Sequence, residues 1–84
     1  MNLQFTALGW EDYLYWQKQD RAVLRRINLL IREAQRTPFE GIGQPEPLKF
    51  GLSGCWSRRI DLEHRLVYRV AQETLIILQS RYHY

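Results

Sequence analysis

The sequence has few of the residues that build most reactive centres. It carries one cysteine, Cys55, and two histidines, His64 and His83. A lone cysteine allows no internal disulfide and no cysteine metal cluster, and it points to a reducing compartment. His64, His83 and Cys55 lack ligand spacing, so no metal is expected. There is no Gly-rich loop to cradle a phosphate. Ser53 and Ser57 have no local signature of a nucleophile with a histidine partner. No apolar run is long enough to span a bilayer. Met1–Phe5 leads straight into a polar, aromatic stretch, unlike a secretory leader. The expectation is a cytoplasmic chain with no membrane association, no metal and no cofactor.

What is present is cationic and aromatic. The 84 residues make one domain, 1–84. A chain of this size buries roughly 60–65% of its unfolded surface. With 45% hydrophobic residues, three Trp, five Tyr and three Phe, a core without staples is feasible. Twelve basic residues, ten of them Arg, give a net charge of +3. That surplus leans toward nucleic acid, although many non-binding domains share it.

Asn2–Phe5 reads as a strand with Leu3 and Phe5 on one face. Thr6 is a candidate N-cap for a helix from Leu8 to about Gln19. Gly9 occupies the place where a capping box would want Glu. Trp10, Tyr13, Leu14 and Trp16 then read as a helix face packed on a sheet. Asp20 is a candidate N-cap for a second helix, Arg21 to about Arg36. There Val23, Leu24, Ile27, Leu30, Ile31 and Ala34 form one apolar stripe. Arg21, Arg25, Arg32 and Arg36 lie off that stripe and Arg26 near its margin. They form either a solvated face or a basic strip for a phosphate backbone. The two helices make an antiparallel hairpin.

Residues 37–47 are rich in Pro and Gly and are predicted as a loop. Pro45 and Pro47 bracket Glu46 and stiffen its backbone. From Leu48 the pattern becomes β. Strands are predicted at Leu48–Leu52, Trp56–Asp61 and His64–Val70, and a last one starts at Thr74. A three-residue turn near Leu62-Glu63 places Arg59 opposite Arg65, whereas a two-residue turn places it opposite Leu66. The run Thr74–Leu78 is apolar and β-branched, as in a buried strand. If extended geometry continues to Tyr84, Arg81 and His83 share one face and Tyr82 and Tyr84 the other.

The chemistry-bearing residues are therefore Glu46, His83 and a set of cations, namely Lys49, Arg58, Arg59, Arg65 and Arg81. Such a set suits metal-free RNA cleavage. A base takes the ribose 2′-OH proton, the oxygen attacks phosphorus, cations meet the growing charge, and an acid protonates the leaving 5′-oxygen. By spacing alone this pattern has low specificity.

Several segments are more specific together. They are Tyr13-Leu14-Tyr15-Trp16, Arg36-Thr37-Pro38-Phe39-Glu40-Gly41, Pro45-Glu46-Pro47-Leu48-Lys49, Leu52-Ser53-Gly54, Trp56-Ser57-Arg58-Arg59-Ile60, Glu63-His64-Arg65-Leu66-Val67-Tyr68 and Arg81-Tyr82-His83-Tyr84. In these the chain resembles, from end to end, the YoeB toxins of the RelE/ParE superfamily. The resemblance implies an α+β fold, a helical hairpin packed on a curved, mainly antiparallel sheet, RelE-like and microbial-RNase-like. It implies a type II toxin that cuts mRNA in the ribosomal A site, is neutralised by a YefM-type antitoxin and forms a homodimer. Glu46 matches the general base, His83 the general acid and Arg65 the cation on the scissile phosphate. Lys49, Arg59 and Tyr84 match substrate-holding residues. Arg58 and Arg81 are not carried over, and Phe50 and Cys55 depart from the usual residues. Two other readings stay open, a non-nuclease toxin of the same fold and a silent RNA- or partner-binding module. An ordinary carboxylate is a weak base at neutral pH and an ordinary imidazole is then mostly unprotonated. Glu46 and His83 are therefore expected to need the substrate phosphate or the ribosome. The antitoxin is expected to displace the segment Arg81–Tyr84.

Overall fold

The computed structural model describes residues 1–83. Strand β1 (Asn2–Phe5) leads through Thr6 into helix α1 (Ala7–Gln19), and Asp20 separates it from helix α2 (Arg21–Arg36). Strands β2 (Glu46–Pro47), β3 (Trp56–Arg59), β4 (Arg65–Ala71) and β5 (Thr74–Gln79) follow, with a 3₁₀ turn at Phe50–Leu52. The sheet order is β1-β5-β4-β3-β2. β1 runs parallel to β5, and the other pairings are antiparallel. The result is an α+β fold of two helices on an open mixed sheet.

Both helix starts follow from their caps. The Thr6 hydroxyl accepts from the Gly9 N–H at 3.1 Å. The Asp20 carboxylate accepts from Ala22 and Val23 at 3.0 and 3.2 Å. Gly9 has a packing reason in place of a capping one. A Cβ there would collide with the Ile77 carbonyl oxygen of β5, so only glycine lets α1 lie flush on the sheet. The predicted stripe of α2 is the buried one: Ile27, Leu30, Ile31 and Ala34 pack with Trp16, Leu66, Tyr68, Leu75 and Ile77. A smaller apolar cluster of Leu48, Cys55 and Val67, with Leu52 and Leu78 against it, covers the other face.

Three strand predictions change. Leu48–Leu52 is not a strand, because Phe50 turns into the left-handed region (φ 59°) and starts the 3₁₀ turn. Pairing instead falls one step earlier, on Glu46 and Pro47 inside the predicted loop. Proline is tolerated there because β2 is an edge strand. β3 ends at Arg59 and β4 begins at Arg65, since the Asp61 carboxylate accepts from the N–H groups of Glu63 and His64 (2.9 and 2.6 Å) and closes the turn. Arg59 lies opposite Arg65. The extended alternation expected to carry on to Tyr84 stops at Gln79, and Tyr82 has φ 64°. Arg81 and His83 therefore do not share a strand face.

Candidate active site

Strand register decides which side chains share a surface. Glu46 pairs with Ser57, Ser57 with Val67, and Arg59 with Arg65. Paired residues point to the same side, and so do residues two apart on one strand. Glu46, Ser57, Arg59, Arg65 and Val67 thus lie on one face. Their neighbours Arg58, Leu66 and Tyr68 point to the other, where Leu66 and Tyr68 join the helix-covered core. The face away from the helices carries the carboxylate and two of the cations.

Their settings differ. Glu46, Lys49, Arg59 and His83 are exposed, while Arg65 is 8% exposed. Glu46 and Lys49 line one hollow of about 330 Å³ together with Phe50. Arg59 lines a second with Arg26 and Gly43. His83 lines a third with Asp12, Arg81 and Tyr82. The face carries Glu46, Arg59 and Arg65, while the hollow of His83 is bounded by Leu8 and Asp12 of α1, so no one pocket encloses the set. The Arg65 guanidinium donates to the carbonyls of Asp61 and His64 at 2.8 and 3.1 Å, which fixes it at the start of β4. Tyr84, named with the substrate-holding residues, lies outside the described residues. Among the described residues no cluster of three or more His, Cys, Asp or Glu could hold a metal ion.

The segment that bears His83 is clamped twice. At Ser80, the Asp12 carboxylate accepts the backbone N–H (3.0 Å) and the Trp16 indole donates to the carbonyl (2.9 Å). Asp12 and Trp16 are one turn apart on α1, so one helix face holds both backbone polar groups of Ser80. Burial pushes the Asp12 carboxyl up from its usual range, against the pull of the Ser80 N–H and of Arg81. At Tyr82, the His64 Nδ1 accepts the N–H (2.6 Å), and the Arg65 N–H donates to the carbonyl (3.1 Å). His64 stands edge-on to Trp16, ring centroids 4.8 Å apart. Nδ1 therefore carries the lone pair, and the proton sits on Nε2, which faces Glu63 at 3.4 Å. Between the two clamps, the Arg81 guanidinium lies 3.5 Å from the Tyr15 ring centroid.

Arg58 stands on the opposite side of the sheet from Glu46, Arg59 and Arg65. It is fully buried on the helix side. Its guanidinium donates to the Tyr68 hydroxyl and to the carbonyls of Ile42, Thr37 and Glu40. Sequence reasoning gave Asp12, Trp16 and His64 no part in holding the C-terminal segment. Their partners lie 18 to 68 positions away. The one local signal is a carboxylate and an indole four apart on a helix.

Residues 5–84 match the family model of the YoeB-like toxin of bacterial type II toxin-antitoxin systems. The chain belongs to that family. A YoeB toxin of Streptomyces coelicolor is 57% identical over 84 residues, covering all of both chains. The solved YoeB/ParE toxin from Agrobacterium tumefaciens superposes with a TM-score of 0.97 at 51% identity, again over all of both chains. A YoeB–YefM complex from Staphylococcus aureus superposes at 0.92 with 42% identity, covering 100% of this chain and 98% of that one. A YoeB dimer from the same organism superposes at 0.92 with 44% identity and the same coverage. Among the described residues, no helix is long and apolar enough to cross a membrane. The chain is a YoeB-family toxin by sequence and by fold.

Proposed function

We propose that this toxin is a ribosome-dependent mRNA endonuclease that cleaves in the A site without a metal. The observation that supports this reading is the sheet face on which Glu46, Arg59 and Arg65 stand together, with the Arg65 N–H bonded to the carbonyl of Tyr82, the residue before His83. On this reading Glu46 takes the proton from a ribose 2′-OH. The 2′-oxygen forms a bond to the adjacent phosphorus, and the bond to the 5′-oxygen breaks. His83 gives that oxygen its proton, leaving a 2′,3′-cyclic phosphate and a 5′-hydroxyl. Arg65 meets the charge on the phosphoryl oxygens, with Lys49, Arg59 and Tyr84 holding the strand. Positioned acid–base groups contribute ~10²–10⁴-fold, and aimed cations often more.

The openness of the face supports dependence on the ribosome. Three shallow hollows do not by themselves fix a flexible strand, whereas an mRNA held by the ribosome brings its geometry with it. The YoeB–YefM complex and YoeB dimer support a YefM-type antitoxin and a homodimer for this chain as well. The test is primer extension on one mRNA, with programmed ribosomes and, separately, as naked RNA in EDTA. Cuts confined to the A-site codon on ribosomes, and lost in Glu46→Gln and His83→Ala, are expected. Absence of cuts in both arms for a protein that still arrests cells would replace this reading with a non-nuclease toxin.

A further inference from the structure

Phe50 is built against the fold's interest. Its backbone sits at φ 59°, where residues with a Cβ are uncommon and a bulky one is an outlier. The turn is held firmly by its own bonds. The Leu52 N–H donates to the Lys49 carbonyl (3.2 Å), and the Ser53 N–H and hydroxyl both donate to the Phe50 carbonyl (3.0 and 2.8 Å). None of these bonds needs a phenyl ring, and glycine or asparagine would take this backbone with less strain. Burial gives no compensation, because Phe50 is 91% exposed. A strained backbone whose side chain packs on nothing signals a function outside the fold.

Its surroundings say which function. The ring shares the 330 Å³ hollow with Glu46 and Lys49, and Leu48 and Leu52 line its apolar side. An aromatic face, an apolar wall and an ammonium side by side match the parts of one nucleotide. A base stacks on a ring, and a phosphate takes a cation. Glu46 on the same rim would face the ribose.

We infer that Phe50 is a stacking platform for a nucleobase of the RNA strand, with Lys49 on the adjoining phosphate. This rests on the endonuclease reading and deepens it, since it places one unpaired base of the codon. Stacking needs a π face, so Phe50→Trp conserves it and Phe50→Leu, equally apolar, does not. The ring is solvent-exposed, so its replacement leaves the core intact.

The experiment measures kcat/KM for cleavage on programmed ribosomes by wild type and the Phe50→Ala, Phe50→Leu and Phe50→Trp variants. Each is repeated on an mRNA series with an abasic nucleotide at each A-site position in turn. Phe50→Ala and Phe50→Leu are expected to lose roughly 5- to 150-fold, the factor carried by one base–aromatic stack, and Phe50→Trp to retain activity. At one abasic position wild type and Phe50→Ala become equal. Equal rates for all variants on intact mRNA, with wild type active, would overturn the stacking inference alone. So would normal cleavage by Phe50→Ala coupled to weakened binding of a YefM-type antitoxin, which would assign the ring to a protein interface. A wild type that cleaves nothing on ribosomes would overturn the endonuclease reading, and this inference with it.

Discussion

Replacing Arg58 by leucine tests whether this cation belongs to the scaffold or to the chemistry. Its Nε donates to the Tyr68 hydroxyl at 3.0 Å, and its terminal nitrogens donate to Ile42 at 3.0 Å, Thr37 at 2.6 Å and Glu40 at 2.9 Å. The Tyr68 hydroxyl passes the connection on to the Pro38 carbonyl at 2.6 Å. One side chain thus pins the whole 37–42 segment to β3 and β4. A hydrogen bond from a charged donor contributes about 1.5–3 kcal/mol, but removing a buried cation also relieves its desolvation cost. The loop carbonyls are at the margin of the core and can turn partly to water. The net loss is set at about 3–5 kcal/mol, the range for breaking a buried charged network. A domain of this length has a total margin of roughly 4–13 kcal/mol. The melting temperature should therefore fall by roughly 12–40 °C, at about 4–8 °C per kcal/mol. Arg58→Lys should do little better, because one ammonium cannot span acceptors arranged around a planar fork. Urea and thermal melts followed by circular dichroism give the answer. A leucine variant that melts like wild type yet has lost toxicity would refute the argument and make Arg58 a substrate cation.

Two further predictions concern the clamps. Asp12 is pushed up by burial, so between 3.8 and its folded value the native state binds more protons than the unfolded chain. Its ionised form thus subtracts stability at neutral pH, and the stability of wild type relative to Asp12→Asn should rise as the pH falls through that window. Urea titrations of both proteins across pH 3–7 check this, and a difference that falls on acidification contradicts it. His64 holds the Tyr82 N–H through Nδ1, a position the asparagine side-chain oxygen can reach. His64→Leu should lower kcat on ribosomes roughly 10- to 100-fold, the effect of a misplaced acid, and His64→Asn should recover part of it. Equal loss in the two variants, with equal melting temperatures, would mean that the acceptor at Nδ1 does not position His83.

The parts of the fold legible in the sequence are those governed by neighbours along the chain. The apolar stripe of α2, its Asp20 cap and the strand Thr74–Gln79 are periodic or local features. The register that sets Arg59 opposite Arg65 followed from turn length, once the turn was known. What escaped depends on distant partners. The predicted strand at Leu48–Leu52 fails because Phe50 enters a turn that its own residue type disfavours, so propensity pointed the wrong way. Gly9 looked like a missing cap residue and is a contact point with Ile77. Glu46, Lys49, Arg59, Arg65 and His83 were named together from the sequence, but that Glu46 and Lys49, Arg59, and His83 line three separate hollows while Arg65 is buried needed the three-dimensional fold. The same holds for the capture of Ser80 and Tyr82.

The parallel pairing of β1 with β5 orders how this molecule can come together. Among the described residues β1 has no neighbour in the sheet other than β5, and Asn2 is matched to Thr74. A chain made only as far as Ala71 therefore has the residues of α1, α2, β2, β3 and β4 but not the strand on which β1 pairs. Its first strand is unplaced, and α1 lacks the Ile77 backbone it lies against. Leu75 and Ile77 are also missing from the centre of the core. Pairings this distant in sequence must close a large loop before they return any contact, which slows folding. The fold is thus completed from its two far ends, and the strand that closes it leads directly into the segment bearing His83.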